Sequence, residues 1–368
     1  MSKYTFYIVM PVMVLLMCLT LPQSWKQTRR KRILIAVYGA IAVLCFTGMI
    51  SATRFVTDPG LRLALDYGAL FFFTVTGSAV AVFLVRYLLT YICIRLEAWS
   101  AVEKLHKNSV YAVSVALCTA FFLIIGSLHF ADIRILNYDA DLTDGTAGDP
   151  SQCTVALLSD IHLGAGAGDR LVDRMCELLA EQQPDLICIS GDLVDMMTFA
   201  EDLGSFAEKV SALKPRYGVY YAEGNHEKDS DLDCRAVLEA YGIVCLYDEA
   251  VVPDNRLVVA GRRDDHKMSV PDILKASSVP EDAAVIVLSH RPADLQELSE
   301  YPYLVLCGHT HGYQLPLFGL VNPFLNDLSY GYHEFGRLKA VTSAGVAAWG
   351  FRIKWPSYNE ICLVRVAY

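Results

Sequence analysis

Five short stretches of this 368-residue chain set metal-capable side chains directly after runs of apolar residues. They read Leu158-Ser159-Asp160-Ile161-His162, Ser190-Gly191-Asp192, Glu223-Gly224-Asn225-His226-Glu227, Ser289-His290-Arg291 and Cys307-Gly308-His309-Thr310-His311. Five of the nine histidines fall in these stretches, which argues for a shared task rather than five separate structural ones. A carboxylate able to bridge, several neutral imidazoles and an amide oxygen make a mixed N/O donor set. Such a set suits manganese, iron or zinc, and it lacks the thiolates of a structural zinc site. Two such ions, about 3.5–4 Å apart, can hold a hydroxide and clamp the attacking and leaving oxygens of a phosphoryl group. The glycines permit close backbone approach and abrupt turns.

The elements that must position these groups are legible around them. Residues 155–158, 186–189, 219–221, 257–260, 285–288 and 304–307 are short, apolar and often β-branched, the pattern of strands buried on both faces. Leu171, Met175, Leu178 and Leu179 recur at helical spacing, with Asp169 placed to cap that helix. The pattern predicts an α/β domain over residues 151–368, and open α/β sheets carry their sites at the C-terminal ends of strands. Residues 131–150, with Asp139, Asp141, Asp144, Gly145, Gly148 and Pro150, read as a linker.

Residues 1–130 are of another kind. They carry 12 Lys/Arg against 4 Asp/Glu, whereas residues 131–368 carry 19 against 36. Apolar stretches at about 4–21, 33–52, 67–85 and 110–130 are each long enough to span hydrocarbon, predicting about four transmembrane helices. Lys26, Arg29, Arg30, Lys31 and Arg32 follow the first stretch, so it reads as a retained helix and not a cleaved signal. Basic residues concentrate in the first and third loops, which assigns those loops to the cytoplasm and the C-terminal domain to the extracytoplasmic, periplasmic side of an inner membrane. The acidic back half excludes nucleic acid as an expected partner. Five cysteines of the soluble part (Cys153, Cys188, Cys245, Cys307 and Cys362) sit in apolar runs, as buried thiols do.

Taken together, Asp160-x-His162, Gly191-Asp192, Gly224-Asn225-His226-Glu227, His290 and Gly308-His309-x-His311 resemble, in order, the calcineurin-like metallophosphoesterase signature. The run Gly308–Gly312, Gln314, Pro316 and the tail through Ser343, Gly345, Glu360 and Val364 is similar to the YkuE/YaeI-like bacterial branch. The resemblance implies a four-layer α/β/β/α sandwich. It implies one divalent ion on Asp160, His162, Asp192 and His311, and a second on Asp192, Asn225, His290 and His309, with Asp192 bridging. His226 would assist the phosphoryl transfer without binding metal, and Glu227, where the family usually has Asp, would orient His226. Tyr313 departs from the branch's usual second glycine and would narrow the mouth of the site or touch substrate. Arg291 reads either as a bidentate partner of a substrate phosphate or as half of a structural ion pair, and His333 either as a loop or interface residue or as one that lines the pocket. The run from Arg262 to His266 reads as a solvated loop.

The function these features imply is a membrane-anchored dinuclear hydrolase, cleaving a phosphodiester or pyrophosphate by attack of a metal-bridging hydroxide. A lipid or envelope glycolipid substrate rests on fold-level analogy. The alternatives are a phosphomonoesterase acting on soluble substrates and a non-catalytic module of the same shape. Retention of His226 and all seven ligand positions weighs against the second.

Overall fold

The computed structural model describes residues 59–368 apart from 144–149, 165, 197, 265–267, 281, 316–321 and 351, together with Ile33 and Ala40. The chain divides into two compact units, Met1–Ile125 and Gly126–Tyr368.

Three helices occupy the first stretch of described residues: α1 (Pro59–Arg95), α2 (Trp99–Leu105) and α3 (Asn108–Ala131). Among the described residues, Leu70–Arg95 within α1 and the whole of α3 are long and apolar enough to cross a membrane. They overlap the third and fourth expected spans, the first of them running ten residues further than expected; the first two expected spans lie outside the described residues. Tyr87, Leu88, Leu117, Ile124 and Leu128 are exposed along these two helices, as apolar side chains facing lipid would be.

The second unit is built on β1 (Ile133–Asp141), β2 (Gln152–Leu158), α4 (Asp169–Gln182), β3 (Leu186–Ser190), α5 (Ala200–Ser211), β4 (Val219–Ala222), α6 (Cys234–Ala240) and β5 (Val244–Cys245). It continues through β6 (Glu249–Asp254), β7 (Leu257–Arg262), α7 (Val270–Ala276), β8 (Ala284–Ser289), β9 (Tyr303–Cys307), β10 (Gly331–Phe335), β11 (Leu338–Thr342) and β12 (Asn359–Ala367). Among the described residues the strands form two six-stranded sheets, in the orders β1-β12-β2-β3-β4-β5 and β10-β11-β9-β8-β7-β6. Their centres, β2-β3-β4 and β7-β8-β9, are parallel.

Alternation along these strands sorts the apolar residues into three layers of packing. Val155, Leu157, Cys188 and Val364 of the first sheet meet Val259, Ile286, Leu288, Leu304 and Leu306 of the second in a core between the sheets. Ala156, Leu158, Ile187 and Ile189 point the other way, against Val172, Met175 and Leu179 of α4 and Phe206 of α5. Val258, Val287 and Val305 pack outward with Val270 of α7, Leu295 and Leu298. Strands covered on both faces have no polar face, so the sequence shows continuous apolar runs there.

Two expectations are corrected. The linker segment holds β1, which pairs in parallel with β12 from Ile133↔Asn359 to Asp141↔Ala367. As an edge strand it needs only part of one face apolar, and its acidic outer positions gave it the composition of a loop. Asp169 does not cap α4: Gly168 is the N-cap, and Asp169 is the first helical residue. Its charge there still favours the helix N-terminus.

Candidate metal centre

The candidate ligands all leave the C-terminal ends of parallel strands, from both sheets. Asp160 and His162 follow β2, Asp192 follows β3, Asn225 and His226 follow β4, His290 follows β8, and His309 and His311 follow β9. The two sheets are tied together at this end: Ser190 Oγ donates to Leu306 O at 2.9 Å, and the His309 N–H donates to the Asp160 carboxylate at 3.1 Å.

The loops that carry these residues are strained. Asp160 (φ 51°), His162 (47°), Asp192 (51°), His309 (70°) and His311 (50°) all adopt the left-handed conformation that residues other than glycine avoid. Such conformations persist only where the surroundings enforce them, and they cluster at functional sites. The glycines beside them are required by contact. A Cβ on Gly224 would lie 2.3 Å from Asp192 Oδ1, and one on Gly308 would lie 2.3 Å from Asp160 Oδ2.

Two ligand clusters result, Asp160–His162–His311 and Asp192–His290–His309, each with donor atoms within 4.8 Å of one another. In the first, His311 Nε2 lies 3.3 Å from Asp160 Oδ1 and 3.4 Å from His162 Nε2. One oxygen of Asp192 faces both clusters, 3.1 Å from His290 Nε2 and 3.9 Å from His162 Nε2. Backbone and carboxylate partners fix which nitrogen each ring presents. Ser190 O can only accept, so His290 donates its Nδ1–H to it at 2.9 Å and offers Nε2 to the site. Asp195 Oδ2 stands 3.4 Å from His162 Nδ1 and leaves that ring's Nε2 for the cluster.

The electrostatics describe groups arranged for cations. Burial would raise Asp192, but the adjacent His290 holds its carboxyl well below the usual range. His290 itself is raised despite burial, chiefly by Asp192. Both shifts favour positive charge at this point, which a metal ion would supply. Burial, aided by neighbouring cationic groups, pushes His309 and His311 well below the ordinary imidazole value, so both are neutral and available as ligands. Asn225 Oδ1 is buried without a hydrogen-bond partner. An orphaned amide oxygen, neutral imidazoles and a shared carboxylate fit a pair of divalent ions.

His226 stands beside the first cluster, its ring centroid 5.1 Å from that of His162. Its expected partner is not Glu227. The Glu227 carboxylate turns inward and accepts the N–H groups of Asp192 at 3.2 Å, Leu193 at 2.7 Å and Gly224 at 2.8 Å. The short 3-10 turn Glu227–Asp229 sends the two adjacent side chains apart and brings Asp229 Oδ2 to 3.6 Å from His226 Nδ1. Burial, with the nearby charge of Asp192, raises the Glu227 carboxyl to about 7.

The other expected contacts are dispersed. Arg291 lies at the second cluster, its guanidinium 3.2 Å from His309 Nε2 and paired with Asp264. Tyr313 is exposed and set edge-on to Tyr330 at 6.0 Å. His333 is exposed on the edge strand β10 with its ring against Phe335, not among the ligands. The charge run from Arg262 is not a solvated loop: Arg262 pairs with Asp294 at 2.8 Å, Arg263 with Glu223 at 3.0 Å, and Asp264 with Arg291 and with Lys228 at 3.3 Å. Asp265 and His266 lie outside the described residues. Trp349, which the sequence did not single out, stands 5.9 Å from His226, anchored by hydrogen bonds between its backbone and the Gln314 side chain.

Residues 153–313 match the calcineurin-like phosphoesterase family. A metallophosphoesterase-named protein of Caenorhabditis elegans is 30% identical over 71% of this chain and 58% of its own length. A Danio rerio transmembrane protein with metallophosphoesterase domain is 31% identical over 56% of this chain and 51% of its own. Phosphodiesterase YaeI of Escherichia coli is 28% identical over 54% of this chain and 77% of its own. The chain spans about half to three fifths of the length of the first curated relatives it matches. The matched residues contain the ends of β2, β3, β4, β8 and β9 and every ligand of both clusters. Over residues 153–313 this chain is thus similar to calcineurin-like metallophosphoesterase domains.

Proposed function

We propose that this chain is a membrane-anchored, metal-dependent phosphoesterase that cleaves a phosphodiester or pyrophosphate. The observation that carries the reading is the position of Asp192, one oxygen of which faces His290 at 3.1 Å and His162 at 3.9 Å. A carboxylate so placed would be shared by two cations, and a pair of cations suits phosphoryl transfer. Asp160, His162, Asp192 and His311 would hold one ion, and Asp192, Asn225, His290 and His309 the other. Bound there, the ions would supply an activated water and neutralise the oxygens of the phosphoryl group.

The protein's own residues do the remainder. Ser190 O and Asp195 hold the His290 and His162 rings in register, and Glu227 fixes the turn that carries Asp192. His226 keeps Nδ1 toward Asp229, and its doubly protonated form would hand the Nε2 proton to the leaving oxygen. Trp349 provides an apolar wall beside His226 for the leaving group. Arg291, Tyr313 and His333 are the candidate substrate contacts, of which Arg291 is the one at the ligand clusters.

Two helices able to cross a membrane, and a relative named as a transmembrane protein, support membrane association. The four-span arrangement, an extracytoplasmic domain and a lipid or envelope glycolipid substrate extend that reading. Proximity to a bilayer and the exposed apolar pair Phe324 and Leu325 are the features that favour a lipid-linked substrate.

The test is hydrolysis of a chromogenic phosphodiester by the manganese-supplemented full chain, with His226→Ala and Asp192→Asn alongside. His226→Ala is expected to lower kcat by about 10²–10⁴ while keeping its metal, and Asp192→Asn to lose activity with its metal. Full activity in both variants would refute the assignment. Loss of a single species from a lipid extract would identify the substrate, and a C-terminal alkaline phosphatase fusion would report sidedness by its activity.

A further inference from the structure

Arg291 is the residue after His290, and its guanidinium is divided between two partners. Asp264 accepts from Nε and, at 3.4 Å, from one terminal nitrogen, while the other terminal nitrogen lies 3.2 Å from His309 Nε2. Arg291 is part-exposed, whereas the Asp264 side chain is only 5% exposed, so the carboxylate is the fixed end of this pair. Lys228 places a second cation on the same carboxylate at 3.3 Å.

A guanidinium N–H can only donate, and a neutral imidazole has one bare nitrogen. The contact with Arg291 therefore uses the lone pair of His309 Nε2 and leaves the ring proton on Nδ1. A metal ion needs a bare imidazole nitrogen. An ion at Nε2 competes with Arg291 for one lone pair. An ion at Nδ1 requires the proton to move to Nε2, where it meets the Arg291 N–H donor to donor. By either route the Arg291–His309 hydrogen bond and a metal on His309 exclude each other.

We propose that Arg291 is a metal-released phosphate-binding arm: an ion on His309 frees one terminal nitrogen, Asp264 retains the rest of the guanidinium, and the freed donor takes a phosphoryl oxygen of the substrate. The inference rests on the dinuclear reading above and adds to it an order of events. The Arg291–His309 bond and a metal on His309 are alternatives, and phosphate is held tightly only with the metal bound. A planar guanidinium already paired on one edge presents its remaining N–H groups in the fixed geometry that suits a phosphate oxygen.

The test is calorimetric, on the full chain in detergent micelles. Manganese chloride is titrated first, and inorganic phosphate is then titrated into the loaded protein. Arg291→Met is expected to bind the second manganese ion about tenfold more tightly and phosphate about tenfold more weakly, a hydrogen bond being lost in each comparison. These opposite signs separate the proposal from a structural role, in which both affinities fall together. Lys228→Met removes a charge from the same carboxylate but no bond to His309, and is expected to change the second manganese step less than about twofold. An unchanged or weakened second manganese step in Arg291→Met, or an equal gain in Lys228→Met, would overturn the proposal. A wild-type chain that binds no pair of manganese ions would overturn the dinuclear reading itself.

Discussion

The Glu227 carboxylate lies beneath Asp192, accepting its backbone N–H at 3.2 Å while its other oxygen takes that of Leu193 at 2.7 Å. With Gly224 as a third donor, one side chain from the β4 loop fixes the β3 loop at the residue that faces both ligand clusters. This is a positioning role in the backbone, and it differs in its consequences from a partnership with His226.

Glu227→Gln is accordingly expected to damage the fold as well as the site. Its amide nitrogen would face the N–H groups that Glu227 now accepts, leaving buried donors unpaired at a cost of about 2–4 kcal/mol. Thermal melts should show a clear loss of stability, and metal content should fall with it. Wild-type stability combined with reduced turnover would instead make Glu227 a partner of His226.

Asp195 is the carboxylate behind His162, 3.4 Å from the ring nitrogen turned away from the site. Thr198 braces it, donating from its hydroxyl to Leu163 O at 2.7 Å and accepting the Asp195 N–H at 2.9 Å. Asp195→Asn should weaken metal binding about 10–100-fold, as loss of such support to a ligating histidine does. Direct titration with manganese measures this, and an unaltered affinity would show that the ring is held by packing alone.

Lys354 supplies a pH dependence separate from the ligands. Its ammonium is fully buried and donates to the carbonyl oxygens of Ala344 at 2.6 Å, Gly345 at 2.9 Å and Tyr358 at 3.3 Å. Glu360 holds the same turn from the other side, accepting the Ala344 N–H at 2.8 Å, and a Cβ on Gly345 would lie 2.7 Å from Asp160 Cβ. Burial lowers the Lys354 ammonium to about 8, so above that pH the folded chain releases a proton that the unfolded chain keeps until about 10.5. Folding stability from this group is lowest below pH 8 and rises between pH 8 and 10.5, by about 3 kcal/mol. The stability of wild type relative to Lys354→Met should therefore increase across that window in denaturant titrations. A difference independent of pH would show that the ammonium keeps its ordinary affinity for the proton.

The ligands were legible in the sequence because each follows a strand buried on both faces. Such strands are unbroken apolar runs, so Asp160, Asp192, His290 and His309 stand out where the runs stop. The supporting residues were not legible for the opposite reason. Asp195, Asp229, Asp264 and Lys354 are charged residues in loops, and only the fold shows that they are turned inward onto histidines, an arginine or carbonyl groups. Glu227 was misassigned because adjacency in sequence does not imply contact across a 3-10 turn. Strand β1 was hidden because its partner, β12, is more than 200 residues away and its outer face is acidic. Asp195, three residues beyond Asp192 in Gly191-Asp192-Leu193-Val194-Asp195, is the one support whose spacing offered a signal.

A dinuclear centre exists here only if both clusters hold cations through a shared Asp192. Elemental analysis of the full chain, purified without chelator and compared with Asp192→Ala, measures this directly. Two transition-metal ions per wild-type chain, and fewer than one in the variant, are expected. Trace metal in the wild type, or two ions retained without Asp192, would contradict it.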